Sequence, residues 1–308
     1  MKVDFQTAYR CSIASNACDM QEYNDVFADI LNTILFNGRP VVGEDELEDV
    51  MTKSQYKSDR GILHEQERDI AKYWKRRKIR LAVFGLENQS KTDPYMPVRI
   101  MGYDGQSYRS QMVKKENGDN ISIEPVVTLV LYFGTSRWKS RSLYDCMDVP
   151  EVLKPYVSNY SINVCEIAYL TEKQIATFTS DFRIVADYCR QMRVNKEYIP
   201  SDDVIRHVDS VLKLMSVISG DNRFQEFRQT NTGGDIKMHD VIDKAIDKGR
   251  QEGRREGRQE GRREGMIDQY IETSKEFGAG DTDIIMGLIK KFNMSEQEAK
   301  RKLLQQLM

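Results

Sequence analysis

Residues 68–90 read Arg68-Asp69-Ile70-Ala71-Lys72-Tyr73-Trp74-Lys75-Arg76-Arg77-Lys78-Ile79-Arg80-Leu81-Ala82-Val83-Phe84-Gly85-Leu86-Glu87-Asn88-Gln89-Ser90. Two extended runs, Arg68 to Trp74 and Ile79 to Glu87, flank a basic tip, Lys75-Arg76-Arg77-Lys78, which is the pattern of a β-hairpin. Residues two apart on a strand share a face, so Glu87 and Gln89 point the same way. Burying a carboxylate at the end of an apolar strand is costly unless a cation, a proton or a hydrogen bond compensates. Asp69 lies on the partner strand, but a simple tip near Arg76–Arg77 places it nearer Phe84 than Glu87. An asymmetric loop or a bulge is needed to align the two acids. Aligned, they make a hard-oxygen site suited to Mg²⁺, which can activate water and stabilise charge on a scissile phosphate. Paired acids on adjacent strands also occur as structural ion networks, and spacing alone favours a solvated sheet face.

Outward from the hairpin, Pro125 to Phe133 is a near-continuous apolar run, the mark of a strand buried on both faces. Ile162 to Leu170 is expected to join the same sheet. Between them Asp93 can cap a helix reaching Lys115, with Pro94 at its first position; Gly102 and Gly105 weaken it. Upstream, Val26, Phe27, Ile30, Leu31, Ile34 and Leu35 define a helix over Gln21 to Phe36 that stops at Asn37-Gly38. Gly43 to Gly61 is polar and irregular, with Leu47, Val50 and Met51 spaced for a short helix. Apolar stripes predict two more helices, Glu172 to Arg193 and Asp202 to Ser219. The order gives an α/β sandwich with trailing helices over residues 1–228.

Residues 229–248 read as a linker and a short amphipathic helix. Residues 249–265, GRQEGRREGRQEGRREG, repeat Gly-Arg-x-Glu. Glycine every fourth residue costs a helix about 1 kcal/mol each, and Glu–Arg pairs recover a few tenths. A solvated helix or rod follows, serving as a spacer or as a surface for homo-oligomer formation. Residues 266–308 form a helical tail of two further helices, the last capped by Ser295 and Glu298.

The formal net charge is −2, so any DNA partner is held by local patches rather than bulk charge. The five cysteines lack CxxC spacing, and the three histidines lack zinc spacing. The start has no signal-peptide run and no stretch approaches a membrane span, so a cytoplasmic protein is expected.

Taken together, Asn24-Asp25-Val26-Phe27, Arg68-Asp69-Ile70, Leu86-Glu87-Asn88-Gln89-Ser90, Met96-Pro97-Val98-Arg99-Ile100-Met101-Gly102-Tyr103 and Pro125 to Gly134 resemble, in order and spacing, the Rpn family of recombination-promoting nucleases and putative transposases. That family is a branch of the PD-(D/E)XK superfamily, and the resemblance covers about Gln21 to Ser219. It implies the restriction-endonuclease-like sandwich, a central mixed sheet flanked by helices, and a metal-dependent DNA endonuclease acting in recombination, mobile elements or phage defence. It implies Asp69 and Glu87 as ligands of Mg²⁺ (or Mn²⁺), the Asn88 carbonyl as a further ligand, and Gln89 in the place of the superfamily's lysine. A neutral amide orients water but cannot supply a lysine's charge. Asp25 stands where such nucleases often carry an acid on the first helix. Arg99 and Tyr103, one helical turn apart, can contact phosphate or brace the site, and Tyr108 and Gln111 follow on the same helix. The rival reading is a catalytically inactive nuclease fold that binds DNA or protein.

Overall fold

A computed structural model describes residues 5–50, 53–57, 63–67, 69–77, 79–113, 123–230 and 235–305. The first unit, Met1–Ile242, is built on a five-stranded sheet ordered β1-β4-β5-β6-β7. Its strands are β1 (Leu47–Asp49), β4 (Ile70–Arg76), β5 (Ile79–Gln89), β6 (Val126–Tyr132) and β7 (Asn163–Glu166). A separate hairpin joins β2 (Lys53–Lys57) to β3 (Leu63–Glu67). The β1–β4 and β4–β5 pairs are antiparallel; β5–β6 and β6–β7 are parallel. The helices are α1 (Phe5–Gln21), α2 (Asn24–Ile34), α3 (Met96–Val113), α4 (Glu172–Ile175), α5 (Phe182–Val194), α6 (Val208–Ser219) and α7 (Arg223–Thr230).

Alternation along the strands sends side chains to two cores. Ala82, Phe84 and Leu86 of β5, with Leu129 and Leu131 of β6, join α1, α2, α5 and α6 in the larger core. Val130 and Tyr132 point the other way, onto Met96 and Ile100 of α3. The sheet is thus sandwiched between helical layers, the mixed α/β architecture of PD-(D/E)XK-like proteins.

The hairpin carries the asymmetry that alignment of the acids requires. Arg76 pairs with Ile79 around a tip where Arg77 takes a positive φ of 60°, and the register shifts between Trp74 and Lys75. Leu81 is the extra residue, so Trp74 meets Ala82 and Ile70 meets Leu86. The first strand starts at Ile70 rather than Arg68, which lies outside the described residues, as does Lys78.

Several other elements differ from expectation, and side-chain chemistry explains most of the differences. The helix expected over Gln21 to Phe36 is divided, because α1 ends at Gln21 and α2 begins at Asn24. Between them Tyr23 is extended, its ring 3.7 Å from His207, while the Glu22 carbonyl accepts from Lys72 at 2.8 Å. The expected short helix at 47–51 is instead the edge strand β1 after a 3-10 turn, Glu44–Glu46. Met51 lies outside the described residues. The helix over Glu172 to Arg193 breaks into α4 and α5, because Asp29 draws off the amides of Thr179 and Ser180. In the same way Asp181 takes the Arg206 and His207 amides, and α6 starts only at Val208. The strand over Ile162 to Leu170 is extended for four residues and then turns into a 3-10 helix, Ile167–Tyr169.

The second unit, Asp243–Met308, has its own apolar core. α8 (Met238–Glu276) is one helix of 39 residues that includes the whole glycine repeat. Met238 and Val241 at its start are buried in the first unit's core. Near its other end Ile267 and Ile271 pack with Ile284 and Leu288 of α9 (Asp281–Phe292) and with Ala299 and Leu303 of α10 (Glu296–Gln305). Ser295 and Glu298 cap α10 reciprocally. No helix among the described residues is long and apolar enough to cross a membrane.

Candidate metal and phosphodiester site

The bulged register brings Asp69 beside Glu87, where each acid reaches into the other's strand. The Asp69 amide lies 3.4 Å from Glu87 Oε1, and the Asn88 amide donates to Asp69 Oδ2 at 2.6 Å. Glu87 is 1% exposed and faces the α3 side, where the Arg99 guanidinium stands 3.9 Å from its carboxylate. Arg99 is fixed in turn by Asp93 at 3.0 Å and by the Tyr103 hydroxyl at 3.2 Å. Burial disfavours the Arg99 charge, but Tyr103, Asp93 and Glu87 outweigh it and raise its pKa above the usual arginine value. Asp93 also accepts the Tyr95 amide at the start of α3, so the cap of that helix is wired to the site.

Asn88 turns its side chain to the opposite face, where it exchanges two amide hydrogen bonds with Gln21 of α1, at 2.7 and 2.9 Å. Cys18 sits beside this pair, 3.7 Å from Asn88 Nδ2. Burial, with Asp69 adding to it, pushes the Cys18 thiol up to about 12. Nothing in the spacing of Cys18 or Gln21 marks them as neighbours of the site. Asn88 donates its N–H towards β4, and strand geometry sends its carbonyl to the same edge. The Asp69 and Glu87 carboxylates and the Asn88 carbonyl, neighbours at one strand end, are hard oxygens, the donor type suited to a divalent cation such as Mg²⁺. Among the described residues no group of three or more His, Cys, Asp or Glu side chains is placed to hold a metal.

Gln89 ends β5 on the Glu87 face, half-buried. The superfamily's lysine has no stand-in on the next strand, since the buried Lys72 of β4 lies on the α2 face, bound to Asn24, Asp49 and the Glu22 carbonyl. Asp25 is bound by His207, whose Nε2 lies 3.0 Å from both carboxylate oxygens. Tyr108 and Gln111 brace the sheet: the Tyr108 hydroxyl accepts the Val126 amide, and Gln111 brackets the backbone of Glu124. At the hairpin tip Lys75 pairs with Glu48 and Arg76 with Glu46. The hydrogen bond from Trp74 holds the Glu46 carboxyl below its ordinary pKa, so an acid offsets each of these two cations.

A mixed parallel and antiparallel sheet between helical layers, with acids at one end of a hairpin, is consistent with a PD-(D/E)XK-like fold. Residues 82–220 match the model of the family described as putative transposase, YhgA-like, which is the Rpn group of PD-(D/E)XK-like proteins. Glu87, Asn88, Gln89, Arg99 and Tyr103 fall inside the match; Asp25 and Asp69 precede it. That family's description suggests a nuclease-like role in transposition or recombination. No curated protein and no solved structure matches the chain.

Proposed function

We propose that the chain is a metal-dependent DNA endonuclease that hydrolyses phosphodiester bonds in the cytoplasm, in recombination, mobile-element or phage-defence settings. The observation that carries this reading is the bulged register that sets Asp69 beside a fully buried Glu87. Asp69, Glu87 and the Asn88 carbonyl would hold Mg²⁺ or Mn²⁺. When bound, such an ion supplies electrostatic stabilisation of phosphate charge and a more acidic water. Gln89 orients the attacking water through its amide, a weaker aid than an ammonium. Arg99 faces the buried Glu87 carboxylate and, 40% exposed itself, presents its remaining N–H groups to a phosphate oxygen.

The test is plasmid cleavage with Mg²⁺ and with Mn²⁺ by the wild type, Asp69→Ala and Glu87→Ala. Nicking or linearisation that needs metal and is lost at least a hundredfold in both folded variants is expected. A second reading, a nuclease fold that binds DNA without cutting it, is favoured by Gln89 and by the amide that already occupies Asp69 Oδ2. Metal-independent DNA binding, unchanged in Asp69→Ala and without cleavage, is its signature.

A further inference from the structure

We propose that the rim formed by the C-terminal ends of β5, β6 and β7 seats the sugar–phosphate backbone of the nucleic-acid strand entering the Asp69–Glu87 site, with Lys91 and Arg137 as its phosphate-binding cations. This rests on the nuclease reading above and adds to it a substrate track.

The parallel register sets Gln89, Tyr132 and Glu166 side by side. Neighbouring strands lie about 4.8 Å apart, so this row runs about 10 Å sideways from the acid pair. Just past the row opens a crevice of about 540 Å³. Ile13 and Ile218 form an apolar wall, and Ser90, Lys91, Thr135 and Ser136 form a rim of hydroxyls and one ammonium. The turn that presents Thr135 and Ser136 needs Gly134, because a Cβ there would run into the buried ring of Tyr132.

Arg137 continues the rim. Its guanidinium lies 3.6 Å from the centre of the Tyr169 ring, and Arg193 lies 4.3 Å from the same ring. The Tyr169 hydroxyl donates to the Thr135 carbonyl at 2.6 Å, tying the stack to the crevice. Glu166 is shared by Arg137 at 3.4 Å and Arg141 at 2.8 Å, so one acid faces two guanidiniums and the rim keeps a positive charge. The Arg137 side chain is 64% exposed although stacked. A guanidinium fixed by its face offers its N–H edge to a phosphate in a forked geometry. Several hydroxyls and cations at one end of the sheet suit a repeating phosphodiester better than a single small anion. Such contacts position a strand without reading its bases, so the track is tolerant of sequence.

The test compares full-length wild type with Lys91→Gln/Arg137→Gln. A charge-matched control, Lys154→Gln/Lys173→Gln, lies elsewhere on the first unit. Binding to a short fluorescent duplex and to its single strand is measured against salt, with Ca²⁺ replacing Mg²⁺, and KM and kcat for cleavage are measured in Mn²⁺. Each lost phosphate contact shallows the plot of log affinity against log salt by about 0.9 on duplex and 0.7 on single strand. Two contacts' worth is expected for the rim variant and none for the control, with KM raised and kcat kept. A rim variant whose salt slope equals that of a wild type that binds and cuts overturns the track and leaves the nuclease reading standing. A wild type that neither binds nor cuts removes both. Binding with the reduced slope but without cleavage keeps the track and removes hydrolysis.

Discussion

A buried carboxylate must be matched by donors or it costs several kcal/mol, and Asp29, Asp104, Asp181 and Glu87 are all buried here. Asp29 accepts from the amides and hydroxyls of Thr179 and Ser180, at 2.6 to 3.1 Å. Asp104 takes the hydroxyls of Thr128 and Tyr160, and Asp181 the amides of Arg206 and His207. Those three hold backbone and sheet in place. Glu87 differs, since it faces a guanidinium near the C-terminal end of its strand. Replacing Asp29 with Ala strands the donors at the turn before α5. A loss of about 3 kcal/mol is expected in urea unfolding, with a smaller loss for Asp29→Asn, which keeps an acceptor. An Asp29→Ala chain as stable as wild type would show that water satisfies that turn.

Elements are shaped by where such side chains land. Period and capping place α2, α3 and α10 close to where they form, because each buries one stripe and carries its own stop or start signal. The splits at Tyr23 and at 176–181, and the late start of α6, come from partners far along the chain, which no local pattern contains. The bulge at Trp74/Lys75 is of the same kind: hydrophobic alternation on both strands and the tip geometry must be reconciled, and one extra residue on β5 does so. In α8 the residues of the repeat are exposed all round, and a Cβ at Gly253, Gly257, Gly261 or Gly265 meets nothing within 4 Å. Changing Gly253, Gly257 and Gly261 to Ala should therefore stabilise that stretch by about 1 kcal/mol each. Circular dichroism during heating reads this directly; an unchanged or lower helix signal would mean that the glycines are needed for close approach of another surface.

At the scale of the molecule, titration of buried groups bears on the larger core of the first unit. Burial pushes the thiols of Cys165 and Cys189 up to about 12 from an ordinary value of 9.0. A folded pKa above the unfolded one means that the folded state holds its protons longer. The contribution is thus complete below about pH 9 and is lost as pH rises towards 12. Unfolding free energy measured in urea should therefore decline through that alkaline window. Native Cys165 and Cys189 should react with iodoacetamide at pH 8 far more slowly than the unfolded chain. Rapid labelling of both in the native protein would place them in an opening part of the fold.

The alternation on β5 and the acids Asp69, Glu87 and the amide Gln89 can be read along the chain, because strand period and residue chemistry are local properties. The resemblance to the YhgA-like putative transposases, matched over residues 82–220, is carried by such motifs in their order. The bulge that aligns the acids, the Gln21–Asn88 amide pair behind them, the capture of Asp25 by His207 and the cations along the C-terminal rim of the sheet arise only when distant segments meet. Burial and pairing are set by neighbours in space, and a sequence states neighbours only along the chain.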